Sequence, residues 1–111
     1  MTKAVFSVKE GRIVRIVCKG HTGYADSGED VVCAAVSAVL QGAVLGIDQV
    51  AKAQMQYSTD EAKGELHFAL CEGLTPTCAH DAEVILRTAY MAISDIAASY
   101  SQFVKVEVKE L

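Results

Sequence analysis

The sequence predicts one α+β domain over residues 1–111, with elements in the order ββαββαβ and an antiparallel or mixed sheet packed with two helices. Three observations carry this. Short segments of alternating hydrophobicity come in pairs around turn signals, the mark of hairpins. Each pair is followed by a long helical segment, the first apolar nearly throughout, the second with an apolar stripe at 3.6 spacing. No linker divides the chain, and its 111 residues suit one domain.

Residues 4–8 alternate loosely and Glu10-Gly11 is a turn signal, so residues 12–18 return as a second strand. That strand delivers His21 at its end. Residues 20–29 hold Gly20, Gly23 and Gly28 among polar neighbours and read as a loop. Asp30 then stands as a helix N-cap, its carboxylate suited to the orphan amides of a first turn. The helix runs to about Asp48 and is apolar on nearly all sides, so burial over most of its circumference is expected. One polar stripe survives: Asp30, Cys33, Ser37 and Gln41 stand three or four residues apart and share a face. Residues 50–57 read as a third strand, 58–64 as a turn and 65–71 as the returning strand. Thr75-Pro76 opens a second helix, proline being suited to the first helical position. Ala82, Ile85, Leu86, Ala89, Ile93, Ile96 and Ala97 give that helix its apolar stripe. Residues 103–109 alternate as a last strand.

A net charge of -4 without a Lys/Arg cluster speaks against direct nucleic-acid binding and leaves room for a basic protein substrate. The hydrophobic fraction of 51% disfavours disorder. Residues 1–6 lack the apolar core of a signal peptide. The longest uncharged run, residues 31–47, falls short of the about 20 residues that span a bilayer. A cytoplasmic protein with reduced thiols and no membrane association is the expectation. Cys71, Cys78 and His80 match no usual zinc spacing, and the glycines at 20, 23 and 28 form no phosphate loop, so neither metal nor cofactor is expected. Cys18 belongs in the core, and His67 at the surface or a sheet edge.

The chemistry gathers around His21 and Cys33. A free cysteine has a pKa near 8.5, and a helix N-terminus or a neighbouring imidazolium lowers it toward the thiolate that attacks carbonyls. Cys33 sits three residues past the cap, and His21 precedes a loop that can fold back. The pattern reads as the active site of a cysteine peptidase. Amides of the same helix turn could face the oxyanion of a tetrahedral intermediate. Asp30 has two possible roles, capping the helix or orienting His21. Ser37, one turn below Cys33, could bond the thiol, the substrate or a backbone carbonyl.

Two segments, Gly20-His21-Thr22-Gly23-Tyr24-Ala25 and Gly28-Glu29-Asp30-Val31-Val32-Cys33-Ala34-Ala35-Val36-Ser37, closely resemble the ribosomal-processing cysteine protease family, Prp. The resemblance implies a cytoplasmic bacterial endopeptidase that removes the short N-terminal extension of a large-subunit ribosomal protein of the bacterial L27 type. It places the catalytic pair on His21 and Cys33 and supporting roles on Asp30 and Ser37. It makes Gly20, Thr22, Gly23, Tyr24 and Gly28 part of a substrate-binding loop. It also implies a homodimer, which suits the apolar first helix. Two rivals differ in class. A non-catalytic ribosome-assembly partner would bind the extension uncut. A thiol redox protein would need a resolving cysteine near Cys33, which spacing alone does not supply.

Overall fold

The computed structural model describes residues 1–21 and 30–111. Strands β1 (Thr2–Lys9) and β2 (Arg12–Lys19) form the first hairpin, turning through Glu10 and Gly11, both at positive φ. Helix α1 (Val31–Leu45) follows, then β3 (Met55–Asp60), β4 (Glu65–Leu70), α2 (Pro76–Ser99) and β5 (Val104–Glu110). The order is the expected ββαββαβ. The five strands make one mixed sheet in the order β3-β4-β2-β1-β5, antiparallel except where β5 runs parallel to β1.

Register explains the core. Ala4 opposes Cys18 and Phe6 opposes Ile16 across β1 and β2. Ile16 opposes Phe68 and Cys18 opposes Leu66 across β2 and β4. These side chains share one face of the sheet, and both helices cover it. α1 contributes Val32, Val36, Leu40 and Val44, and α2 contributes Ala82, Leu86 and Ile93. Each fully buried Leu, Ile or Phe side chain stabilises the fold by about 1.5–3 kcal/mol. Polar bonds pin α2 to the first hairpin: the Ile13 amide donates to Glu83 at 3.0 Å, and Arg87 donates to the Gly11 carbonyl at 3.2 Å.

α2 starts as its sequence requires, with Thr75 as N-cap and Pro76 in the first turn. α1 departs from expectation in three ways. It does not end near Asp48: Gly46–Ala51 continues as a π-helical segment, closed by Lys52 in the left-handed region. The third strand therefore begins at Met55 rather than 50, and it runs to Asp60 through part of the expected turn. The helical stretch Val31–Ala51 thus reaches 21 residues at a mean hydropathy of 1.9, long and apolar enough by length and composition to cross a membrane. Finally, α1 is not buried around most of its circumference. Val32, Val36, Leu40 and Val44 face the sheet, while Val31 (63% exposed) and Leu45 (62%) lie outward in one row with Ala34 and Ala38.

Candidate active site

The α1 N-terminus, the end of β2 and the β3–β4 hairpin meet at one cavity of about 400 Å³. His21, Cys33, Ser37 and Gln41 all line it. The polar stripe of α1 is therefore a third face of the helix, on the flank between its buried and exposed sides. Asp30 does cap α1: its Oδ1 accepts the Cys33 amide at 2.9 Å, and its carbonyl accepts the Ala34 amide at 3.0 Å. An oxyanion at this helix end must then rely on donors other than the Cys33 amide.

Backbone geometry brings His21 to the cavity. Gly20 turns the chain off β2 at φ +91, and a Cβ there would lie 2.5 Å from the Met1 carbonyl oxygen. The Gly20 amide donates to the Gly64 carbonyl at 3.0 Å, and the Thr2 hydroxyl donates to the Gly20 carbonyl at 3.0 Å. Of the expected substrate-binding loop, Gly20 is seen here. Thr22, Gly23, Tyr24 and Gly28 lie outside the described residues.

Cys18 is in the core as expected, 7% exposed, yet it also lines the cavity. Burial, with a smaller contribution from the nearby Cys33 charge, pushes its thiol up to about 11. Cys18 is thus held as a neutral thiol at neutral pH. The other cysteines stand apart from this cavity. Cys78 donates its thiol to the Ala51 carbonyl at 3.3 Å, and His80 pairs with Asp81 at 3.3 Å. Among the described residues no three metal-ligating side chains converge. His67 is a half-exposed surface residue, but β4 lies between β3 and β2, so it is not at an edge.

The family question is decided by comparison with known proteins. The family model described as cysteine protease Prp matches residues 1–105. The chain belongs to the Prp family of cysteine proteases. A ribosomal processing cysteine protease Prp of Staphylococcus aureus is 27% identical over 100 residues, covering 90% of this chain and 91% of the relative. The Prp of Bacillus subtilis is 29% identical over 87 residues, covering 78% of each. A crystal structure of the S. aureus Prp with a covalently linked product peptide superposes with a TM-score of 0.89. It is 25% identical and covers 98% of this chain and 100% of that one. The chain is a cysteine protease of the family that acts in ribosomal processing.

Sequence reasoning missed several residues of the Prp cavity. Thr2 comes from the first strand, Tyr57 and Thr59 from β3, and Gly64 and Glu65 from the β3–β4 hairpin. Glu65 is held below the usual carboxylate range, chiefly by its hydrogen bond with His67 at 3.0 Å, and so stays anionic beside Asp60 and Glu61 at the cavity wall. No local signal marks these positions. They join the site only because β4 and β1 pair with β2 on either side.

Proposed function

We propose that this chain removes the N-terminal extension of a large-subunit ribosomal protein of the bacterial L27 type, with Cys33 as nucleophile and His21 as its acid–base partner. The observation that carries the reading is the convergence of His21, Cys33 and Ser37 on one cavity in a chain of the Prp family. His21 and Cys33 form an imidazolium–thiolate pair. The thiolate attacks the scissile carbonyl, and the tetrahedral intermediate collapses as His21 gives its proton to the leaving amine. His21 then takes a proton from water, and the hydroxide displaces Cys33 from the thioester. Asp30 holds the helix end that presents Cys33, and Ser37 lies one turn below it on the cavity wall. The crystal structure of S. aureus Prp with a covalently linked product peptide supports thiol chemistry on a peptide. The acidic wall of Asp60, Glu61 and Glu65 suits a basic segment of a ribosomal protein.

The enzyme works in the cytoplasm as a homodimer. The outward row Val31, Ala34, Ala38 and Leu45 supports pairing, since it is an apolar helix face left uncovered in one chain. The opposite face of the same helix is packed on the sheet, which argues against insertion in a bilayer. Intact mass spectrometry of the ribosomal protein, co-expressed with the wild-type chain or with Cys33→Ala, tests the assignment. Loss of a short N-terminal segment with wild type alone is expected. Trimming by Cys33→Ala would overturn it.

A further inference from the structure

His21 is exposed, and its ring lies close against the β3–β4 turn. A Cβ built on Gly64 would lie 3.0 Å from both Cε1 and Nε2 of His21 and 3.2 Å from the Gly20 carbonyl oxygen. The imidazole edge therefore sits on the bare Cα of Gly64, at φ +65 in the β3–β4 turn. The residue before His21 is held at both of its backbone polar groups. The Gly64 carbonyl takes the Gly20 amide, and the Thr2 hydroxyl binds the Gly20 carbonyl. Thr2 is only 3% exposed, a buried hydroxyl at the start of β1. Thr2, Gly20, His21 and Gly64 all line the cavity that holds Cys33.

We propose that Gly64 and Thr2 are positioning residues for His21: the side-chain-free turn forms the seat of the imidazole, and the Thr2 hydroxyl locks the peptide that carries it. The proposal rests on the reading of His21 and Cys33 as the working pair. A glycine at 64 is required twice, by its left-handed backbone and by the ring lying on it. Those two demands can be separated, because Gly11 offers the first without the second. It has φ +78 in the other hairpin turn, and a Cβ there meets nothing within 4 Å.

The test compares purified Gly64→Ala, Gly11→Ala, Thr2→Val and Thr2→Ser with wild type, His21→Ala and Cys33→Ala. One readout is cleavage of a quenched fluorescent peptide spanning the extension junction. The other is the rate at which iodoacetamide alkylates Cys33 at neutral pH, followed by peptide mass spectrometry. Thermal melts confirm that each variant is folded. A Cβ at 64 forces the ring to give by a few tenths of an ångström, a fraction of the ~1 Å misplacement that costs on the order of 100-fold in rate. Gly64→Ala is therefore expected to lower kcat by roughly 4–10-fold with KM within about twofold, and to slow Cys33 alkylation toward the His21→Ala rate. Gly11→Ala is expected to stay within about twofold of wild type in both readouts, since it disturbs no group of the site. Thr2→Val moves in the same direction as Gly64→Ala, and Thr2→Ser restores the loss. Equal effects of Gly64→Ala and Gly11→Ala, or a Thr2→Val enzyme with wild-type kcat, would overturn the proposal. If His21→Ala leaves Cys33 alkylation and cleavage unchanged, the pairing itself is wrong and the proposal falls with it. If the peptide is not cut by wild type but alkylation depends on His21, only the substrate is wrong, and the alkylation arm still decides the seat.

Discussion

Alkaline pH should weaken this fold through Cys18. Its thiol ionises at about 11 in the folded chain against an ordinary 9.0, with burial as the main cause. Between those values the folded state holds a proton that the unfolded chain has lost. The stability so gained is complete below pH 9 and disappears as pH rises through 11. Two pH units of separation correspond to about 2.7 kcal/mol, of which about 1.4 kcal/mol is gone at pH 10. A 111-residue domain has a melting entropy of roughly 0.23 kcal/mol/K, so this is a fall in Tm of about 6 °C. Lysines and tyrosines titrate in the same window. The measurement is therefore the difference between wild type and Cys18→Val, which keeps an apolar side chain of similar size without the proton. Thermal melts by circular dichroism at pH 8 and pH 10 should show wild type losing about 6 °C more than Cys18→Val. Cys33→Ser should narrow that gap without closing it, because the Cys33 charge is the smaller of the two causes. Parallel losses in wild type and Cys18→Val would refute the reasoning.

Asp30→Ala should cost about 1 kcal/mol by freeing the Cys33 amide from its cap, a Tm drop of roughly 4 °C that Asp30→Asn largely restores. Leu86→Ala, at a site 1% exposed beneath α2, should cost about 2–5 kcal/mol in urea denaturation, since the packed sheet and helices can only partly close the void. Tyr57→Ala should leave the melt within about 2 °C of wild type, as the ring is 40% exposed, and should raise KM several-fold if the cavity wall holds the peptide.

The local features were legible because each depends on neighbours in the chain. The Glu10-Gly11 turn, the Asp30 cap, the Thr75-Pro76 helix start and the last strand, expected over residues 103–109 and found as Val104–Glu110, stand within a residue of where they were read. His21 and Cys33 stood out as a motif twelve positions apart, with the Asp30 cap three residues before the thiol. The start of β3 was not legible. Residues 50–57 alternate in part like a strand, but Gly46–Ala51 stays helical because Ile47 and Ala51 are buried in the core. The faces of α1 were hidden for a related reason. An all-apolar helix has no polarity contrast to say which side meets the sheet and which is left outward.

What the sequence determined by itself is therefore the set of elements, their order and the Asp30 cap that precedes Cys33 on α1. What only the tertiary structure decided is the wall opposite His21 and Cys33. Thr2, Tyr57, Gly64 and Glu65 enter the site because β4 pairs with β2 and β1 starts beside the end of β2. Strand pairing is chosen by packing between segments far apart in the chain, and no periodicity within a segment encodes its neighbour.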